Sequence, residues 1–168
     1  MEWVDVVDKN NRVIKKVTKK MAHKNGLLHR TVISEVRDSK GRWLLIKQAS
    51  HKQDVGQYVS PVGGHVIAGE TEIEGLKRET FEELGLVNFK HKLVGRAIFN
   101  RPVRNHIENH YFIVFEIFSD GKIILNEESD DFMFFKESEL KKRVKEKPSE
   151  FGAAFYFVAK KFYPQLLK

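Results

Sequence analysis

Residues 64–86 read GHVIAGETEIEGLKRETFEELGL, and their spacing decides the fold. Arg78, Glu79, Glu82 and Glu83 fall on consecutive turns of one helix, and at 3.6 residues per turn positions 79, 82 and 83 share a face. Carboxylates so arranged repel one another and destabilise a bare helix. A hard divalent cation, Mg²⁺ or Mn²⁺, is the neutralising partner that suits clustered oxygens together with water and substrate phosphate. Thr71 followed three residues on by Glu74 is a capping-box pair that starts the helix, and Gly85 is a C′ stop. Leu76, Thr80 and Leu84 form the less polar face. Upstream, Pro61, Val62, Gly63, Gly64, His65 and Gly69 make a turn-rich loop that can bring backbone N–H groups to an anion, with Glu70 returning toward the metal side. Gly63, Gly64 and His65 are the substrate-binding candidates.

This segment resembles the Nudix box, in which a Gly, a Glu six residues on, an Arg-Glu pair, a Glu-Glu pair and a final Gly stand at fixed spacings. Gly64, Glu70, Arg78, Glu79, Glu82, Glu83, Gly85 and Leu86 occupy those positions. The departure is Thr80, where an aliphatic residue is usual, on the side of the helix that packs. The resemblance implies an α/β/α sandwich with a mixed sheet and a metal-dependent hydrolase acting on a pyrophosphate linkage. Glu79, Glu82 and Glu83, helped by Glu70, are then the metal ligands, with Mg²⁺ or Mn²⁺ as cofactor, and Arg78 orients a Glu.

Composition agrees with one enzyme domain. A chain of 168 residues, 41% hydrophobic, is long enough for one buried core, and no low-complexity linker divides it. The expectation is a single domain over residues 1–168: an N-terminal strand and extension in 1–30, the box at 64–86 and C-terminal helices in 137–163. With no cysteine, thiolate metal sites, disulfides and cysteine nucleophiles are excluded. No apolar run is long enough to span a bilayer, and the first residues lack the apolar core of a signal peptide, so a cytoplasmic, non-membrane protein is expected. The formal charge of +7 suits a polyanionic ligand. Much of it lies at Lys15, Lys16, Lys19 and Lys20, and at Lys136, Lys141, Lys142, Arg143, Lys145 and Lys147, runs that read first as solvated faces.

Period-2 and apolar segments predict strands near Glu2 to Val7, Thr31 to Val36, Trp43 to Gln48, Lys92 to Phe99 and His110 to Phe118, with a short one at Phe132 to Phe135. Helices are predicted at Thr71 to Leu84, Glu137 to Glu146 and Ser149 to Phe162, the last with a Phe151, Phe155, Val158 and Phe162 packing stripe. Asp38-Ser39-Lys40-Gly41 reads as a hairpin turn.

A second, softer resemblance covers most of the chain. Glu2 to Asp8, Gly26 to Arg30 and Ser60 to His65 are similar to the Nudix subgroup of isopentenyl diphosphate isomerases. Those enzymes place a Cys and a Glu on opposite faces of an alkene, and here Gly63 and His110 stand at the two positions. Glycine is neither acid nor base, so isomerisation is not expected. The same resemblance implies a second metal site at His23, His29, His65, Glu108 and His110, whose imidazoles suit Zn²⁺ or Mn²⁺ better than Mg²⁺.

The expected reaction is hydrolysis of a small-molecule nucleoside diphosphate derivative by a monomer or homodimer. The general base is a box Glu or an acid of a later loop, Glu127, Glu128 or Asp130. Phe99, Tyr58 and Trp43 could stack a base, and Pro102, 16 residues beyond Leu86, is reminiscent of the branch that cleaves ADP-ribose. The alternative is an isomerase-like protein without isomerase activity that binds nucleotides or processes RNA 5′ ends; nucleic acid is the less favoured partner, since no nucleic-acid-binding motif is present.

Overall fold

The structure, a computed structural model, describes residues 1–52 and 54–168. Nine strands and four α-helices follow one another as β1 (Trp3–Val7), β2 (Val13–Thr18), α1 (Lys19–Lys24), β3 (His29–Arg37), β4 (Trp43–Gln48), β5 (Tyr58–Val59), β6 (Val62–His65), α2 (Glu72–Leu84), β7 (Lys90–Val103), β8 (His106–Phe118), β9 (Ser129–Phe135), α3 (Glu137–Glu146) and α4 (Ala153–Phe162). The sheet is mixed, and β3 organises it. Along one edge β3 pairs in parallel with β8 over its whole length, His29 opposite His110 through Arg37 opposite Phe118. Its other edge is shared in turn by β1, β6 and β4, all antiparallel.

Alternation along β3 and β8 sends successive side chains to opposite faces. Val32, Val36, Ile113, Phe115 and Ile117 pack with Leu76 and Leu84 of α2. Ile33, Phe112 and Val114 face the other way, onto Leu140 and Val144 of α3 and Phe155 and Val158 of α4. A sheet buried on both faces explains why these strands read as near-continuous apolar runs. Helix α2 has the ends its sequence foretells: Thr71 and Glu74 form both capping-box bonds, and Gly85 is left-handed at φ 69°. Thr80 is fully buried, and its hydroxyl donates to the Leu76 carbonyl at 2.7 Å. One turn of the helix thus satisfies the polar atom that replaces an aliphatic side chain.

Three expectations need correction. The last helix begins at Ala153, with Gly152 as its N-cap, whereas Pro148–Glu150 form a 3₁₀ turn and Phe151 bridges Tyr58 in parallel. The packing stripe survives because Phe151 remains buried beside Phe155. The segment from Pro61 to His65, expected as part of a turn-rich loop, carries strand β6 over Val62–His65, and Pro102 lies within β7, opposite Ile107. Strand β7 pairs only with β8, so its outer edge tolerates a residue without an N–H. Finally, β2, α1 and β5 occupy stretches for which no element was predicted. Among the described residues no helix is long and apolar enough to cross a membrane.

Candidate active site

The box carboxylates meet β6 in a cleft of about 300 Å³. Three consecutive residues of β6 engage α2. The Gly63 N–H donates to Glu83 Oε2 at 2.9 Å. Gly64 lies so close to Glu79 that an added Cβ would land on its carboxylate carbon, whereas one at Gly63 would meet nothing within 4 Å. The His65 carbonyl accepts from Arg78 Nη2 at 2.8 Å. Arg78 also donates to both oxygens of Glu70, at 2.7 and 2.9 Å, and to Glu79 at 2.7 Å, and reaches Glu82 at 3.4 Å. One planar fork thereby fixes two carboxylates and a strand carbonyl.

Glu70 is placed differently from the expectation. Its oxygens are taken by Arg78 and by the Ile67 N–H, and it does not line the cleft. Burial works against its ionisation, yet the hydrogen bonds from Arg78 and Ile67 hold it below the ordinary Glu value. Its place in the structure is as the anchor of Arg78. Glu79 and Glu83 behave in the opposite way: burial drives both upward, Glu83 well above the ordinary value, with the Gly63 N–H and the more distant Lys52 pulling back there and Arg78 pulling back at Glu79. Both carboxylates are thus short of positive charge. Glu82, with half its side chain exposed, completes the face.

Residues that sequence reasoning passed over line the same cleft: Glu2, Lys19, Lys52 and Asn126. Lys52 pairs with Glu128 at 3.1 Å, so of the three loop acids Glu128 is the one at the cleft. Lys19 opens the short helix α1 and Lys52 lies in a loop, so neither carries a periodic signature, and only the folded chain gathers them.

Across Gly63 and His65 the cleft opens into a second cavity of about 400 Å³, whose walls include Thr31, Phe99, Arg101, Phe112 and Ala154. Here His23, His29, His65 and His110 converge, with one ligand atom of each within 4.8 Å of the others. His29 Nδ1 lies 2.7 Å from the Leu27 carbonyl and so carries the proton, leaving the Nε2 lone pair facing inward. Neither His29 Nε2 nor His110 Nε2 has a partner among the described residues, although both residues are at least nine-tenths buried. His23 and His65 approach through Nε2 at 3.2 Å. Burial first, and then the neighbouring imidazoles, lower His23 to about 4 and His110 to about 2, and burial also lowers His29 and His65, so all four are neutral at pH 7. Glu108, expected as a fifth ligand, is drawn away to Arg101 at 2.9 Å and to His106 at 3.7 Å. Arg101 is clamped on its other side by Asp54 at 3.5 Å. His106, not foreseen, stacks on His23 at 4.9 Å. Of the aromatic candidates, Trp43 is buried in the apolar cluster and Tyr58 packs edge-on against Phe135, whereas Phe99 borders the second cavity.

The family model of the NUDIX domain matches residues 27–155. An uncharacterised Nudix hydrolase of Yersinia pestis is 34% identical over 88 residues, covering 51% of this chain and 48% of that protein. The chain thus spans about half the length of such curated relatives. Isopentenyl-diphosphate Delta-isomerase 1 of Aromatoleum aromaticum is 30% identical over 157 residues, covering 90% of this chain and 86% of that protein. A solved structure from Deinococcus radiodurans superposes with a TM-score of 0.75 at 21% identity, covering 95% of this chain and 98% of the other, a likeness of fold.

Proposed function

This chain belongs to the Nudix family, and on that premise we propose that it is a metal-dependent pyrophosphohydrolase, cleaving the diphosphate linkage of a nucleoside diphosphate derivative by attack of water. The observation that carries the proposal is the set Glu79, Glu82 and Glu83 on one cleft, with Glu79 and Glu83 largely shielded from solvent and their carboxyls raised above the ordinary value by that desolvation. Those three carboxylates would hold Mg²⁺ or Mn²⁺, and a bound ion would supply charge neutralisation at the diphosphate and a water of lowered pKa. Hard oxygen donors at helical spacing fit such an ion.

The chain's own residues do the rest. Arg78, anchored by Glu70, holds Glu79 in place. Lys19 and Lys52 stand at the junction of the two cavities, where a phosphate oxygen would meet an ammonium group. Glu128, within reach of Lys52, is the loop acid placed to accept a proton from water. The second cavity gives room for the group beyond the diphosphate.

Isomerase chemistry is not part of the proposal, although one relative bears that name. Gly63 has no side chain, and His110 is kept neutral first by burial and then by the neighbouring imidazoles. The proposal does include a nitrogen metal site at His23, His29, His65 and His110. Four neutral imidazoles, two of them with unpartnered Nε2 atoms, suit Zn²⁺ or another borderline ion, and the Leu27 carbonyl fixes the His29 tautomer, as a carbonyl behind a metal-ligating imidazole does.

The test is a panel of nucleoside diphosphate derivatives, dinucleoside polyphosphates, nucleoside triphosphates and isopentenyl diphosphate, assayed with Mg²⁺ or Mn²⁺. Turnover of at least one nucleotide and none of the isoprenoid is expected. Glu83→Gln should lower kcat about a hundredfold or more, the scale of losing one preorganised charge at the transition state. Unaltered turnover in that variant overturns the ligand assignment.

A further inference from the structure

Strand β6 is a part of both cavities at once. Val62–His65 is four residues long, and it is paired throughout with β3, Thr31 opposite His65, Val32 opposite Gly64 and Ile33 opposite Gly63. On one side Gly63 and Gly64 touch Glu83 and Glu79, and the His65 carbonyl holds Arg78. On the other side the His65 ring stands in the histidine cage, 3.2 Å from His23. The backbone at Gly64 has no slack against Glu79, so a displacement at residue 65 reaches the carboxylate instead of dying out in the strand.

Resting on the two-site reading above, we infer that β6 couples the sites: ligation of His65 in the histidine cage orders the strand and raises the affinity of the carboxylate cleft for a divalent cation. Without ligation, the polar contacts of the His65 ring are with His23 at 3.2 Å and Glu2 at 3.6 Å, both on the N-terminal part of the chain, and against the rings of His29 and His110 it packs without a bond, at 5.0 and 5.3 Å. Joined to His29 of β3 and His110 of β8 as well, the ring is tied to the centre of the sheet. The His65 carbonyl then presents a fixed acceptor to Arg78, and Arg78 a fixed donor to Glu79. A carboxylate already in place loses less conformational freedom when it binds an ion, which is positive cooperativity by ordering. By linkage, the effect is reciprocal: an ion in the carboxylate cleft tightens the cage by the same factor.

The experiment measures Mn²⁺ binding to the full chain by electron paramagnetic resonance, with and without one equivalent of Zn²⁺. Occupancy of the cage is read separately, from the visible spectrum of Co²⁺ in nitrogen coordination. Zn²⁺ should lower the Mn²⁺ Kd about fivefold or more, the lower end of typical coupling between sites. His23→Asn on α1 removes a cage ligand while leaving the residues of β6 and their pairing with β3 unchanged, and in it the effect of Zn²⁺ should vanish. His29→Asn gives the same readout from the opposite wall should the first variant be unstable. A Co²⁺ spectrum of a filled cage with an unchanged or weakened Mn²⁺ Kd overturns the coupling alone. No nitrogen-coordinated Co²⁺ overturns the cage and the coupling with it, and no Mn²⁺ binding in the absence of Zn²⁺ overturns the carboxylate site.

Discussion

Replacing Glu35 by Gln should flatten the pH dependence of stability and make the protein more stable at alkaline pH. Glu35 is 1% exposed on β3, and Oε1 accepts from Ser60 Oγ at 2.5 Å while Oε2 has no partner among the described residues. Across the parallel pairing it faces Glu116, itself buried and held by Tyr163 at 3.0 Å, Arg37 at 3.5 Å and Lys92 at 3.9 Å. Burial, opposed by the Ser60 bond and reinforced by Glu116, pushes Glu35 from 4.5 to about 7. The folded value lies above the unfolded one. As pH rises through 4.5 the unfolded chain releases its proton first, and stability falls until the folded group also ionises near 7. At about 1.4 kcal/mol per unit, that interval amounts to about 3 kcal/mol, nearly all of it lost by pH 8. Gln keeps the shape and cannot ionise, so the variant should match the parent near pH 4 and exceed it by up to about 3 kcal/mol at pH 8. Urea unfolding followed by tryptophan fluorescence from pH 4 to 8.5 is suitable, because Trp43 is buried in the apolar cluster on the same face of the sheet. Parallel curves for parent and variant, offset by a constant, would refute the reasoning.

Two further predictions concern the cleft. Gly63→Ala has open space for its methyl group and should leave nucleotide turnover within a few-fold of the parent, whereas Gly64→Ala must displace Glu79 and should lower kcat about a hundredfold with an unchanged far-UV circular dichroism spectrum; equal rates in the two variants would show that the close approach is immaterial. Arg78→Lys supplies one ammonium where a fork now contacts Glu70, Glu79 and the His65 carbonyl. It should destabilise the fold by about 1–3 kcal/mol and weaken Mn²⁺ binding, both checked by urea unfolding and paramagnetic titration, and a variant with parental values would mean that the fork is not needed.

What the sequence reveals of this molecule follows from the range of its interactions. Helix α2 announces itself because its signals are local: a cap at Thr71 and Glu74, a stop at Gly85 and an apolar stripe through Leu76 and Leu84. Strand β2 escapes notice because it is an edge strand, with Val13 to Lys16 all exposed, and its VIKKVT reads as neither period. Its partner α1 spans six residues, too few for a helical repeat to declare itself. The histidine cage depends on long-range register. His29 meets His110 only because β3 and β8 run parallel in that alignment, and His65 joins them because β6 pairs with β3 at Thr31. Resemblance to a family could suggest the gathering, and spacing alone could not. Glu108 shows the limit of that route: a residue at a ligand's position turns to Arg101, a partner supplied by the facing strand. Glu35 and Glu116 are harder still, since two acids inside apolar runs look like solvent-facing breaks until strand pairing buries them side by side.

The contact between Gly64 and Glu79 bears on how the box helix and the sheet are held in alignment. Sliding α2 along β6 toward residue 65 would set the Glu79 carboxylate against an imidazole side chain, whereas Gly63, the other glycine of the strand, has open space around its Cβ position, so the close approach is made at position 64. The spacing between the box helix and its strand is therefore gauged by the smallest substituent the genetic code can offer, and the precision of the cleft is inherited from that notch.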